Sequence, residues 1–218
     1  MMNRRTLTRS AATLALAACL PWPLAALAAD EAPDALVKRL SADVLETVRS
    51  DKSIKAGDVN KIMVLVNKTI LPHVNFRRMT AAAVGPAWRS ATPEQQQRLQ
   101  DEFKQLLVRT YSGALSEVSD QTIVVKPLRA APGDTDVLVR TEIRGRGDPV
   151  QLDYRLEKTP GQGSGWKIYN LNVLGVWLVE TYRTQFAQEI NAKGIDGLIE
   201  SLAARNKANA ASGVAGAK

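Results

Sequence analysis

The first half of the chain carries the apolar spacing of helices. Apolar residues recur every four positions from Leu36 to Val48, which predicts an amphipathic helix over 33–50. Residues 61–72 are apolar over more than one face, so we expect a helix that is buried on several sides or lines something apolar, and that breaks at Pro72. A short helix is predicted over 76–84, ending at Gly85-Pro86.

A long helix begins after Thr92. Thr92 at the N-cap, Pro93 at the first helical position and Gln95 two positions later form the pattern of a capping box. The apolar face that follows, from Leu99 to Tyr111, predicts a helix ending near residue 118.

The apolar period then changes from four to two. Alternation over 137–143 and 150–156 predicts two antiparallel strands with one face covered and the other in water. Two more strands are predicted over 123–125 and 166–173, with hairpin turns at 145–149 and 160–165. A closing helix is predicted over 176–191 and a short one over 195–204.

This order of elements predicts the fold class. Helices followed by a strand meander and a closing helix make an α+β domain, in which a curved antiparallel sheet of about four strands packs its apolar face against helices. A sheet curled over helices forms a cone whose mouth is a natural apolar cavity.

The N-terminus has the layout of an export signal. Arg4, Arg5 and Arg9 precede a short apolar run, and Ala26-Leu27-Ala28 offers a small-x-small cleavage pattern. Cys19 also completes a lipoprotein box, Leu16-Ala17-Ala18-Cys19, in which it would be lipidated. We favour cleavage after Ala28, because the mature chain then starts in a polar segment. The predicted organisation is a signal peptide over 1–28, one domain over 29–205 and a disordered tail over 206–218.

Composition narrows the function classes. Loss of Arg4, Arg5 and Arg9 with the leader lowers the formal net charge from +7 to about +4, which is too weakly basic to indicate nucleic-acid binding. Removing residues 1–28 also removes the one cysteine and leaves a single histidine, His73. Thiol nucleophiles and imidazole-rich metal sites are thereby nearly excluded, and His73, beside Pro72, is interpreted as structural.

A carboxylate-based active site is not favoured either. General-acid/base enzymes on cone-shaped folds need an ionisable group that projects into the cavity. By strand alternation, Glu142, Asp153 and Glu157 fall on the polar, outward side. Only Tyr154 points inward, where we interpret it as part of the wall. We therefore expect neither catalysis nor a metal or cofactor.

Two segments resemble a known family. The first is Ile70-Leu71-Pro72-His73-Val74-Asn75-Phe76-Arg77-Arg78-Met79, then Val84-Gly85-Pro86-Ala87-Trp88-Arg89, Ala91-Thr92-Pro93-Glu94-Gln95 and residues 103–115. The second is Trp166-Lys167-Ile168-Tyr169-Asn170, then Leu174-Gly175-Val176-Trp177-Leu178-Val179 and Tyr182-Arg183-Thr184-Gln185-Phe186. Over about 33–202 the chain resembles the periplasmic component of the Mla (maintenance of lipid asymmetry) pathway, also called the toluene-tolerance auxiliary family.

That resemblance implies an NTF2-like cone and a function. Members are soluble periplasmic shuttles that hold a phospholipid by its acyl tails and are not enzymes. Their partners are an outer-membrane lipoprotein–porin complex and an inner-membrane ABC transporter with a lipid-binding ring. For this chain it implies a phospholipid cargo, no other cofactor, and a monomer.

The expected lipid-binding residues form two walls of an apolar cavity. The sheet wall comprises Val137, Val139, Ile143, Leu152, Tyr154, Leu156 and Ile168, and the helical wall comprises Ile70, Val74, Phe76, Met79, Phe103, Leu107 and Tyr111. Trp177 is expected at the mouth.

The chain departs from the family pattern at three positions. Asn75 and Asn170 stand where acidic residues are usual, and Trp177 stands where a serine is usual. These changes leave the apolar character intact, but they remove the basis for assigning headgroup contacts. Two other hypotheses for the function remain open: a non-catalytic scaffold of an envelope complex, and an NTF2-like small-molecule enzyme.

Overall fold

The computed structural model describes residues 31–211 and has the predicted α+β architecture. Helix α1 (Pro33–Ser50) is followed by α2 (Lys52–Lys55), α3 (Val59–Leu65), a π-helical turn (Val66–Ile70) and a 3₁₀ turn (Leu71–His73). Next come α4 (Phe76–Val84), a 3₁₀ turn (Gly85–Arg89) and α5 (Pro93–Ser116). Strands β1 (Thr122–Val125), β2 (Asp136–Arg144), β3 (Val150–Lys158), β4 (Trp166–Val173) and β5 (Val176–Trp177) precede α6 (Leu178–Ala211).

The five strands form one antiparallel meander in the order β1-β2-β3-β4-β5. Helix α1 packs against β1 and β2, whereas α4, α5 and α6 pack on one another beside β4. An aromatic cluster centres the helical layer: the Phe103 ring centroid lies 4.9 Å from that of Tyr182 and 5.2 Å from that of Phe186. The helices thus pack on one side of the sheet. An internal site can therefore lie only between that side and the helices.

Local signals account for several element boundaries. The Thr92 side chain accepts from the Gln95 backbone N–H, and the Gln95 side chain accepts from the Thr92 N–H, so the predicted capping box is present. Asn75 caps α4 by accepting from the Arg78 N–H at 2.9 Å. Asp51 and Asp58 cap α2 and α3 in the same way.

The helix predicted over 61–72 is present within a continuous helical segment from Val59 to His73, but its hydrogen-bond pattern changes along the segment. It divides into α3, a π-helical turn and a 3₁₀ turn, and within the two turns no residue is fully buried. Val64 is 60% exposed, so the segment is not buried on several sides. Pro72 accounts for the last break, because its ring cannot continue a helix.

The helix predicted from Val176 begins two residues later, and the sheet has one more strand than expected. Leu174 and Gly175 both have positive φ, 54° and 86°, and they turn the chain back onto β4. Val176 then pairs with Val173, and Trp177 with Asn172. The sequence analysis assigned these two residues to the closing helix, because a strand of two residues is too short to show an alternating pattern.

The end of the ordered domain was also placed too early. Helix α6 is interrupted at Gly194 (φ 71°, ψ −172°) but continues to Ala211, beyond the boundary predicted at 205. Asn206 is buried and donates to the Glu102 carbonyl at 3.0 Å and to its carboxylate at 2.7 Å. This contact with α5 orders a segment whose own composition is weakly apolar. The predicted leader, including Cys19, and residues 212–218 lie outside the described residues.

Candidate functional site

The strand register separates the sheet into an apolar face and a polar face. Directly opposed residues of antiparallel strands share a face, and Val139 opposes Tyr154 while Leu156 opposes Ile168. All seven residues predicted for the sheet wall lie on the apolar face: Val137, Val139, Ile143, Leu152, Tyr154, Leu156 and Ile168. The predicted outward carboxylates Glu142, Asp153 and Glu157 lie on the polar face.

The apolar face is covered at one end and open at the other. At the first end, Val139, Leu156 and Ile168 are buried against Leu36, Val37 and Leu40 of α1. Toward the β2–β3 hairpin the apolar face is incompletely covered. Its part-buried or exposed residues there are Ile143, Val150, Leu152, Val173 and Val176. We call this second region the open end of the sheet.

The apolar interior is divided into three separate clusters. One lies within α4, α5 and α6, a second between α1 and the covered end of the sheet, and a third between the end of α1, α2, α3 and α5. Val74 borders the first two and Val44 borders the last two, and both side chains are only part-buried. The three clusters therefore meet only through part-buried side chains.

Of the residues predicted for the helical wall, some are buried core and others are part-buried at the border of that core. Phe103 and Met79 are buried inside the helical cluster, so they support the wall without offering free surface. Val74, Phe76, Leu107 and Tyr111 are part-buried along the border of that cluster. Ile70 is part-buried in the π-helical turn and belongs to none of the three clusters.

Trp177 is not brought together with the other predicted residues. It opposes Asn172, which opposes Asp153, so its side chain lies on the polar face of the sheet. There the Arg155 guanidinium sits over the indole, 4.1 Å from the ring centroid. Trp177 therefore does not belong to the apolar wall.

Sequence reasoning missed Leu171 and Val173 of β4. Strict alternation from Trp166 and Ile168 places them on the polar face, but the register shifts between Arg155 and Leu156, and both residues join the apolar face. The shift leaves Tyr169 as the extra residue of a β-bulge. The signal was present, because the apolar positions of β4 change from even to odd numbers within one strand.

Ionisable groups on the apolar face are few. Burial raises the pKa of Tyr154 to about 12, against a smaller lowering by the neighbouring Ser41 hydroxyl of α1. Its phenol therefore stays neutral at physiological pH. Asp153, on the polar face, is buried more deeply than predicted and accepts from the Thr141 N–H at 3.2 Å and the Gln151 amide at 2.5 Å. Among residues 31–211, no group of three or more His, Cys, Asp or Glu side chains could hold a metal ion.

Asn75 and Asn170, the two asparagines at positions where an acidic residue was expected, each donate a hydrogen bond to a glutamate. The Asn75 amide donates to Glu157 at 2.6 Å, and the Asn170 amide donates to Glu180 at 2.8 Å. Each glutamate also pairs with an arginine, Glu157 with Arg78 at 2.6 Å and Glu180 with Arg155 at 2.7 Å. An aspartate could not donate in either place. The departures from the family pattern are thus accommodated by local pairing on the polar side of the sheet.

The fold and the site together define an α+β protein whose sheet has one apolar face, incompletely covered at one end, and one polar face that carries charged side chains. In the described part of the chain, no helix has the length and apolarity needed to cross a membrane. A family model described as MlaC protein matches residues 38–204, and the chain belongs to that family. The resemblance drawn from the sequence motifs is confirmed.

Named relatives agree with this assignment. The chain is 28% identical over 176 residues to the toluene tolerance protein ttg2D of Pseudomonas putida, covering 80% of each chain. It is 25% identical over 177 residues to the intermembrane phospholipid transport system binding protein MlaC of Haemophilus influenzae, covering 80% of this chain and 82% of the relative. A phospholipid-binding protein from Ralstonia solanacearum, solved in complex with a phospholipid, is 48% identical with a TM-score of 0.78. That match covers 81% of this chain and 98% of the solved one.

Proposed function

We propose that this chain is a periplasmic phospholipid carrier that encloses acyl chains between the open end of its sheet and the part-buried border of its helical layer. The observation that carries this proposal is the incompletely covered apolar surface at Ile143, Val150, Leu152 and Val173, which faces the interior of the domain. The phospholipid complex of the Ralstonia solanacearum relative supports it, because the two chains share the fold and are 48% identical over the matched part.

Partition energies suit a carrier of this kind. Each acyl CH₂ moved from water into apolar surroundings gains about 0.8 kcal/mol, so two long chains gain on the order of 20 kcal/mol before immobilisation costs are deducted. Spontaneous escape of the lipid into water is therefore slow. Delivery then requires docking against a membrane component that offers the lipid another apolar site.

The family context supports two such components. We propose an outer-membrane lipoprotein–porin complex and an inner-membrane ABC transporter with a lipid-binding ring as the docking partners. The carrier itself uses no catalytic step and no cofactor besides its cargo.

The wall is tested at Leu152, on the apolar face of β3. Leu152→Arg places a charge where acyl chains would lie, and burying an unpaired charge costs several kcal/mol. Because Leu152 is only part-buried, the variant is expected to fold. We expect native mass spectrometry of the detergent-free protein to show a phospholipid adduct in the wild type and at least a tenfold smaller bound fraction in Leu152→Arg.

Leu138→Arg is the matched control. Leu138 is also a part-buried strand leucine, but it opposes Arg155 on the polar face. This variant is expected to keep its lipid, with both variants showing wild-type circular dichroism. Equal lipid retention by the two folded variants would refute the wall assignment. A wild-type protein that carries no phospholipid and takes up none from vesicles would refute carriage itself and favour a scaffold.

A further inference from the structure

Arginine side chains surround the 3₁₀ turn between α4 and α5. Arg77 of α4 lies over the indole of Trp88 in that turn, with its guanidinium carbon 5.6 Å from the ring centroid. Arg183 of α6 lies beside the start of the turn, its Nε 3.6 Å from the position that a Cβ would take at Gly85. Arg89 is the last residue of the turn. We call Arg77, Arg89 and Arg183 the arginine patch.

The arginine patch is exposed and lacks counter-ions within the protein. All three residues are exposed, and none makes an ion pair within residues 31–211. The chain from Phe76 to Pro93 contains no Asp or Glu. Arg78 does not belong to the patch, because its guanidinium pairs with Glu157 at 2.6 Å. Glu180, the acidic residue in the first turn of α6, is paired with Arg155. The positive charge of the patch is therefore left for an external partner.

Contacts within the protein hold Arg77 in place. Its Nη2 donates to Gln96 Oε1 of α5 at 3.2 Å. The Gln96 amide nitrogen donates in turn to the backbone carbonyls of Trp88 at 3.0 Å and Ala91 at 3.3 Å. A side chain that is already ordered loses less conformational entropy when it binds a partner. The remaining N–H donors of the guanidinium suit phosphate or carboxylate oxygens.

The surroundings of the patch favour a surface of lipid headgroups over a protein surface. A stable protein interface has an apolar centre with aromatic anchors. Trp88 is only 7% exposed, and the exposed large apolar side chains of the described chain, Val64, Leu174 and Val176, belong to other elements. An anionic bilayer needs no apolar centre, because it attracts basic side chains by charge and presents phosphate oxygens to them.

We propose that the arginine patch binds the anionic headgroup surface of a phospholipid bilayer, so that the protein associates reversibly with membranes. The choice of a bilayer rests on the proposed function, because a phospholipid carrier takes up and delivers its cargo at membranes. The patch is a second lipid-binding surface, which recognises headgroups from outside and is separate from the apolar walls that hold the cargo. Each basic side chain near an anionic bilayer increases binding about fivefold, so the three arginines together increase it on the order of a hundredfold.

The test measures binding of the lipid-loaded protein to vesicles by sedimentation. One set of vesicles contains phosphatidylcholine alone, and the other contains phosphatidylcholine mixed with phosphatidylglycerol. We expect the wild type to prefer the anionic vesicles and to lose this preference as the salt concentration rises. The patch variant, which combines Arg77→Gln, Arg89→Gln and Arg183→Gln, is expected to bind the anionic vesicles on the order of a hundredfold more weakly.

The matched control removes the same number of positive charges from the sheet side of the molecule. It combines Arg129→Gln in the β1–β2 loop, Arg140→Gln on the polar face of β2 and Arg146→Gln in the β2–β3 hairpin, all at exposed residues. The control is expected to keep most of the wild-type binding to anionic vesicles, and both variants should show wild-type circular dichroism. Equal losses in the two variants would assign the binding to net charge and overturn the role of the patch.

Native mass spectrometry of the same proteins separates this inference from the proposed function. None of the substituted arginines belongs to the apolar walls, so all three proteins are expected to carry a phospholipid adduct. A wild type that carries the adduct but binds anionic and neutral vesicles equally overturns the role of the patch and leaves carriage intact. A wild type that carries no phospholipid and takes up none overturns the proposed function, whichever vesicles it binds.

An acidic protein surface is the alternative partner, and a transfer measurement distinguishes it. If the patch served a protein, the patch variant would bind anionic vesicles like the wild type but would deliver lipid more slowly to vesicles that contain envelope membrane proteins. That result would overturn the proposal. We expect instead that the patch variant delivers lipid more slowly to protein-free anionic vesicles, whereas the control variant delivers it at nearly the wild-type rate.

Discussion

Leu174 combines two unfavourable features at one residue. Its φ of 54° lies in the left-handed region, and its side chain is 67% exposed at the tip of the β4–β5 turn. A two-residue turn with positive φ at both positions favours Asn-Gly, because a branched apolar side chain clashes with its own backbone there. The turn is thus formed by β4–β5 pairing and Gly175, against the preference of Leu174.

Replacing this leucine should stabilise the fold. We expect Leu174→Asn to raise the free energy of unfolding by about 1 kcal/mol, because asparagine tolerates the left-handed region better. Urea denaturation monitored by tryptophan fluorescence measures the change.

Val64→Asn serves as the control for Leu174→Asn. Val64 is 60% exposed in α3, with no positive φ, so losing its apolar surface should give no comparable gain. A similar gain in both variants would attribute the effect to exposed apolar surface rather than to backbone strain.

At the scale of elements, α5 depends on its N-terminal cap. It is the longest uninterrupted helix of the described chain and contributes Phe103, Leu107 and Tyr111 to the interior. The reciprocal bonds of Thr92 and Gln95 satisfy two backbone donors that would otherwise lack partners. These bonds begin the helix at Pro93 and so set the angular position of every side chain that follows.

Loss of the cap should destabilise the protein without removing its site. Thr92→Ala is expected to lower the free energy of unfolding by about 1 kcal/mol, whereas Thr92→Ser keeps the hydroxyl and should change it by only a few tenths. Guanidinium denaturation of both variants measures the difference. If the alanine and serine variants were equally stable, the side-chain bond of Thr92 would contribute nothing.

Several elements were predictable because their signals are local. The bounds predicted for α1, α4 and β4 agree with the structure, and the capping box located the start of α5. Strand β5 was not predictable, because two residues become a strand only through hydrogen bonds to β4. In the sequence, the β-bulge at Tyr169 is marked only by a shift of the apolar positions from even to odd residue numbers. A prediction based on strict alternation does not include such a shift.

At the scale of the whole molecule, His73 lies where three parts of the chain meet. It ends the 3₁₀ turn before Val74, whose bridge to Ile168 joins the helical layer to β4. Burial lowers the pKa of His73 from its ordinary 6.5, and Arg39 of α1 and Lys167 of β4 lower it further. Glu31 and Asp43 oppose this lowering only in part.

This depressed pKa makes stability depend on pH. With a folded pKa below 6.5, the unfolded chain takes up the proton first, so the contribution is present above about pH 6.5 and is lost as pH falls through the folded pKa. We expect the wild type to lose more stability than His73→Gln between about pH 7.5 and about pH 5.5. Thermal unfolding at several pH values measures this, and equal losses would show that His73 titrates alike in both states.

His73 is the chain's one histidine, so no second imidazole complicates that comparison. The same property limits the chemistry of the whole molecule. The apolar sheet face carries the neutral Tyr154 phenol and aliphatic side chains, with Glu142, Asp153 and Glu157 on the opposite face, and this composition agrees with the proposed role of holding an apolar ligand.

Most elements, the α+β class and the face of the sheet on which Val139, Leu152 and Tyr154 lie follow from the sequence alone, because side-chain periodicity is a local property of the backbone. Tertiary structure decided which apolar residues are core and which remain part-exposed. Phe103 and Leu107 carry the same local signal, yet Phe103 is enclosed by α6 and Leu107 borders the apolar interior. Burial depends on which other elements cover a residue, and the position of Trp177 on the polar face depends on the pairing of β5 with β4.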